Sequence, residues 1–138
     1  MTIYKKLKRI SYLEGAIHSL SFSKSLELVF KEYKLNIETV SKAAFIDKRD
    51  LYRYLGENVI PRKSNLVKLL LAMKIPYRVS LSLLYAAGLT LNSSNQDVFF
   101  SVLLENPNCI SILDANDMVA EYNASEMYER DYIKPFKL

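Results

Sequence analysis

Residues 36–56 read NIETVSKAAFIDKRDLYRYLG, and the spacing of apolar side chains along this stretch decides the fold. Ile37, Val40 and Ala44 recur every three or four residues, as one face of a helix requires. Asn36 stands just before them with a side-chain oxygen suited to an N-cap. Asp47 stands in the same relation to Leu51, Tyr54 and Leu55, with Asp50 placed where the positive end of a helix favours a carboxylate. Only Phe45 and Ile46 separate the two patterns, so the stretch predicts two short helices, 37–44 and 47–55, joined by a tight turn. At 100° per residue the second helix puts Leu51, Tyr54 and Leu55 on one side and Lys48, Arg49, Tyr52 and Arg53 on the other.

The same period continues on both sides. Leu26, Val29, Phe30 and Tyr33 form a stripe opposite Lys24, Glu27, Lys31 and Glu32, which predicts an amphipathic helix over 23–33. After the connector 57–63, Ser64 is expected to cap a helix that runs to about residue 74 and is apolar on nearly every side, hence central. Pro76 opens the next helix and Gly88 closes it. Ser94 caps a helix over 95–105, which Asn106-Pro107 stops, and Asn108 is expected to cap another carrying Ile110, Leu113 and Val119 or Tyr122. At the N-terminus Ile3, Leu7, Ile10 and Ile17 share a helical spacing, weakened by Gly15 and a serine-rich end, which predicts a loosely attached basic helix. The last dozen residues read as a tail that is disordered or orders on contact. The expected fold is all-α, organised as a basic N-terminal arm or helix (1–21), a helical domain (22–91), a helical extension packed on it (92–124) and a tail (125–138).

Composition fits one folded domain and narrows the chemistry. The 138 residues are 50% hydrophobic and 25% charged, with 3 Gly and 4 Pro. A single cysteine, Cys109, and a single histidine, His18, leave too few ligands for a structural zinc site and too few thiols for an internal disulfide. Cys109 is expected to pack as a small buried apolar residue, and His18 to lie at the surface. No phosphate-loop, dinucleotide-binding or metalloprotease motif occurs, so no enzyme activity, metal or cofactor is expected. Lys5, Lys6, Lys8 and Arg9 are not followed by an unbroken apolar run, and the apolar stretch 66–73 is interrupted by Lys68 and far too short for a bilayer. A cytoplasmic protein without a membrane partner is the expectation.

Charge is unevenly spread. Residues 1–78 hold 16 basic and 7 acidic side chains, whereas residues 79–138 hold 3 and 8. The basic part includes the polar face of helix 47–55, and its residue types suit double-stranded DNA. Arg49 and Arg53 have forks that fit guanine O6 and N7, Lys48 reaches the same edge or a phosphate, and Tyr52 meets a thymine methyl or donates to a phosphate. Thr39, Lys42, Arg62, Lys63, Ser64 and Asn65 are placed to hold phosphates, the last four at the start of a helix with free N–H groups. The Lys5 to Arg9 cluster adds non-specific affinity. The plainer reading of the same face is a solvated one in which Lys48, Arg49 and Arg53 pair locally with Asp47, Asp50 and Glu57.

Residues 26–88 resemble the Cro and phage-repressor-like (XRE) helix-turn-helix family of bacterial regulators. The resemblance rests on Lys31-Glu32-Tyr33-Lys34-Leu35 at the end of the first helix, Val40-Ser41 and Ala44 in the first motif helix, and Ile46 in the turn. It continues with Leu51 and Tyr54 at the buried positions of the recognition helix, Pro61 after the connector, and the helix end at 69–75. A variant from Gram-positive genomes and mobile elements is similar further along, at Ala44-Phe45-Ile46-Asp47-Lys48, at Ala87-Gly88-Leu89-Thr90-Leu91, and through Ser93-Ser94 to the segment 112–116. Phe45 stands where the family most often has glycine, so the backbone there either avoids a positive φ or accepts strain. Ile37 and Asp47-Lys48-Arg49 stand where its glutamines do.

The resemblance implies a lambda-repressor-like five-helix core and a sequence-specific DNA-binding regulator of transcription, a repressor by class. Pairing of helices 95–105 and 109–123 across a two-fold axis would make a homodimer. Alternatively the acidic side chains Asp114, Asp117, Glu121, Glu126 and Glu129 simply solubilise that surface, or the region caps the basic face. The second functional reading is an adaptor, in which a degenerate motif binds another protein in an antitoxin-like, accessory or anti-repressor role.

Overall fold

The computed structural model describes all 138 residues and is entirely helical. Its elements are α1 (Ile3–His18), α2 (Phe22–Glu32), α3 (Ile37–Ala44), α4 (Lys48–Gly56), α5 (Lys63–Met73), α6 (Tyr77–Ala86), α7 (Asn95–Glu105) and α8 (Ile112–Ser125), followed by a single 3-10 turn (Glu129–Asp131). Six of the eight helices open on a side-chain cap: Thr2, Ser21, Asn36, Asp47, Ser94 and Ser111 each accept a first-turn N–H. No helix is long and apolar enough to cross a membrane.

The middle of the molecule is α5, as its all-round apolar character predicts. Leu66, Val67, Leu69, Leu70, Leu71 and Met73 are buried, and the helix packs against α3, α6, α7 and α8. Around it, α2 lies on α4 and α6, with the Ser23 hydroxyl donating to the Leu55 carbonyl at 2.6 Å. Val40, Ala44, Leu51 and Tyr54 point into the core, as their spacing predicts. Gly88, at φ +74°, closes the turn after α6 in the left-handed conformation that glycine tolerates.

Several expectations need correction. The N-terminal helix is not loosely attached: Leu13 and Ile17 are buried against the α6 side, Glu14 accepts two bonds from the Arg78 guanidinium, and Arg9 stacks over the Tyr33 ring. Of the four residues that share its helical spacing, Ile3 and Leu7 are exposed and Ile17 is buried, because the contact begins further along the helix. Ser64 does not cap α5, which starts two residues earlier than such a cap implies, behind Arg62, and has no side-chain cap. Asn108 does not cap α8 either. Ser111 does, in a reciprocal box with Asp114, and this rotates Ile112 inward and leaves Leu113 exposed. Cys109 falls in the turn between α7 and α8 and is exposed instead of buried, whereas His18 is at the surface as expected.

The largest departure is the C-terminal segment, which is an ordered part of the core. Ile133 and Phe136 are buried, and the Phe136 ring stacks on Phe100 with centroids 5.7 Å apart. Three side-chain amides on the preceding helices hold the backbone, each donating to the carbonyl and accepting from the N–H of one residue. Asn123 holds Ile133, Gln96 holds Lys134 and Asn116 holds Phe136. With these groups paired, the segment needs no helix or strand partner of its own.

Candidate functional site

The turn between α3 and α4 sets the geometry of the basic face. Phe45 ends α3 at φ 53°, ψ 42°, so the backbone accepts the left-handed conformation at a residue with a bulky side chain. The N–H groups of Phe45 and Ile46 then turn back to the Lys42 and Ser41 carbonyls and close the helix. The Phe45 carbonyl accepts from the ammonium of Lys68, a buried lysine on α5, at 3.2 Å, and the same ammonium donates to the Lys137 carbonyl at 2.7 Å. One buried cation therefore ties the α3–α4 turn to the C-terminal segment. Burial pushes the Lys68 pKa down, with no carboxylate bonded to it in compensation.

Asp47 starts α4. Its carboxylate accepts from the Arg49 backbone N–H at 2.8 Å and lies 3.5 Å from the Arg49 guanidinium, and these contacts, the backbone bond first, hold its pKa below the ordinary value. Leu51 and Tyr54 anchor the helix from beneath; burial, with Asp50 adding to it, pushes the Tyr54 phenol upward. Lys48, Arg49, Tyr52 and Arg53 are all exposed, and the Arg49 side chain is 90% accessible. Each of the three cations has an acidic neighbour: Lys48 meets Glu38 at 3.5 Å, Arg49 meets Asp47, and Arg53 meets Asp50 at 3.7 Å and Glu57 at 3.3 Å. Pairs this exposed contribute about 0–1 kcal/mol each and yield readily to a stronger anion.

The residues expected to hold phosphates divide into two sets. Thr39 and Lys42 are exposed on α3, Lys42 without an acidic partner. Arg62, Ser64 and Asn65 surround the uncapped start of α5, where the first-turn N–H groups have no partner within the helix. Lys63 belongs to the same turn but is committed elsewhere: its ammonium lies 2.8 Å from Asp97 Oδ2, which also accepts from the Asn92 N–H, and the Asp97 side chain is only 5% accessible. Removing Lys63 would leave a buried carboxylate short of a charge, so its substitution mixes stability with binding.

Beside this turn is a concavity of about 420 Å³ lined by Arg62, Lys63, Asn65, Gln96, Lys134 and Lys137 among others. Lys134 and Lys137 were not among the expected site residues because their segment read as a tail. The lysine-rich ending Lys-Pro-Phe-Lys-Leu was the only sign of them. No group of three or more His, Cys, Asp or Glu side chains is arranged to hold a metal ion. In comparisons with known proteins the chain matches no family model, no curated protein and no solved structure.

Proposed function

We propose that this chain is a sequence-specific double-stranded DNA-binding regulator of transcription of the Cro and phage-repressor-like class, with α3 and α4 as its helix-turn-helix and α4 as the helix that enters the major groove. The observation that carries the reading is the division of α4, whose Leu51 and Tyr54 are buried while Arg49, Arg53, Tyr52 and Lys48 project outward. Arg49 and Arg53 read base edges, and Thr39, Lys42, Arg62, Ser64 and Asn65 set the register on the phosphates. A homodimer through α7 and α8, whose Val98, Val102 and Leu113 are about half exposed, would present two copies of α4 to half-sites one helical turn apart.

The test is fluorescence anisotropy on duplex DNA at 50 and 200 mM salt, comparing the wild-type chain with an Arg49→Ala/Arg53→Ala variant. Binding should weaken steeply with salt, by roughly 10³-fold for several phosphate contacts, and the variant should bind more weakly still. On a selected operator, Arg49→Ala alone should lose about 1–3 kcal/mol of discrimination at one base pair. Equal loss on operator and random DNA would remove Arg49 from base reading. Absence of binding by micromolar protein at 50 mM would sink the DNA reading.

A second reading is favoured by one observation, the pairing of every α4 cation with a neighbouring carboxylate. Such a mixed-charge face suits a protein partner, and the chain would then act as a helical adaptor. Failure to bind duplex DNA together with stoichiometric capture of a purified partner protein, abolished by the same double variant, would favour it.

A further inference from the structure

Only three of the chain's 19 basic residues lie beyond residue 78, and two of them, Lys134 and Lys137, are brought back onto the basic part of the molecule. The segment that carries them is fixed on both sides. Gln96 grips the Lys134 backbone from α7 through a donated and an accepted bond, Asn116 does the same for Phe136, and Lys68 holds the Lys137 carbonyl. Four cationic side chains, Arg62, Lys63, Lys134 and Lys137, thereby line one concavity, although like charges repel when gathered in this way.

One carboxylate, Asp97, lines the concavity with them, and Lys63 uses it. Arg62, Lys134 and Lys137 have no acidic partner within 4.0 Å, in contrast to all three cations on α4. Ser64 and Asn65, from the first turn of α5, line the same concavity, and that helix start has no side-chain cap. Because Lys68 holds the Phe45 and Lys137 carbonyls at once, the Lys137 end of the segment is tied to the turn that leads into α4.

We propose that the C-terminal segment completes a phosphate cradle, in which Lys134 and Lys137 join Arg62 around one phosphate group, that of the DNA backbone alongside α4. The identification of the phosphate as one of duplex DNA rests on the function proposed above; the cradle itself rests on the excess positive charge and on the segment that supplies it. Its contribution is independent of sequence, since phosphate contacts fix position without reading bases.

The experiment uses the full-length chain and a Lys134→Gln/Lys137→Gln variant, with Lys134→Arg/Lys137→Arg as the charge-preserving control. Both variants leave the backbone bonds of Gln96 and Lys68 in place, and thermal unfolding checks that they fold. Anisotropy on a random duplex at 50 to 200 mM salt should show the Gln variant weakened roughly 5-fold near 150 mM, with the salt slope reduced by about 1, as loss of a single phosphate contact requires, and the Arg variant close to wild type. If wild type binds and the Gln variant matches it in affinity and slope, the cradle is overturned while the DNA reading stands. If wild type binds no duplex, the DNA reading falls and titration with inorganic phosphate decides the cradle. Saturable NMR shifts of the Lys63, Ser64 and Asn65 amides, lost in the Gln variant, would assign the cradle to a small phosphorylated ligand, and their absence would overturn it.

Discussion

The α3–α4 region and the C-terminal segment after residue 125 are both short, both largely polar at the surface and both fastened to α5, yet different groups hold them in place. In the first, the backbone satisfies itself. Asn36 and Asp47 cap the two helix starts, the Phe45 turn closes the first helix, and Val40, Ala44, Leu51 and Tyr54 bury a single face. In the second, local backbone bonding ends with the 3-10 turn at Glu129–Asp131, and beyond it Asn116, Asn123, Gln96 and Lys68 reach across from three other helices to pair the backbone. An irregular segment can thus be as firmly placed as a helix when distant side chains take over its hydrogen bonding.

The most forceful way to break that comparison is to remove the anchor of each region. Leu51→Ala should cost about 2–5 kcal/mol, as truncation of a fully buried leucine does, and Phe136→Ala should cost about 3–5 kcal/mol through loss of the ring stacked on Phe100. Urea denaturation followed by circular dichroism measures both. A Phe136 variant within 0.5 kcal/mol or so of wild type, the range of ordinary surface changes, would return the segment to the status of a tail.

A smaller effect sharpens the comparison by isolating the amide clamps. Asn116→Ala removes the donor and the acceptor that Phe136 uses, at 3.0 and 2.7 Å, and should cost about 1–2 kcal/mol. Native-state hydrogen exchange at the Phe136 amide gives a second readout, with protection expected to fall in the Ala variant while the α4 amides stay unchanged.

What could be read in advance follows the same division. The all-α class, the two short helices, the inward Leu51 and Tyr54 and the central α5 all depend on a 3.6-residue period and on local caps, which a sequence displays directly. The attachment of α1 depends on Leu13 and on Glu14 meeting Arg78 far along the chain, and no periodicity reports such a partner. Asn116, Asn123 and Gln96 look like ordinary surface amides on their helices, so the segment they clamp looked unsupported. Of the expected interface, Lys48, Arg49, Tyr52 and Arg53 follow from the face of one helix, whereas Lys134 and Lys137 join it only through tertiary structure.

The mildest expected effect concerns the one group that touches both regions. Lys68 is buried and its pKa in the folded chain lies below the ordinary 10.5, because burial disfavours the charged ammonium. The folded state therefore releases this proton at a lower pH than the unfolded state, which binds more protons throughout the window between the two pKa values. Across that alkaline window stability should rise with pH on account of Lys68, and below the folded-state pKa the cost of holding the ammonium in the interior is fully present. Lys68→Met removes the titration, so the difference in unfolding free energy between wild type and variant should shift toward wild type as pH climbs toward 10.5. Taking the difference cancels the tyrosines and exposed lysines that titrate in both chains. A difference that stays flat across this window would mean that Lys68 holds the Phe45 and Lys137 carbonyls without a perturbed proton, and the turn and the C-terminal segment would then be joined by geometry alone.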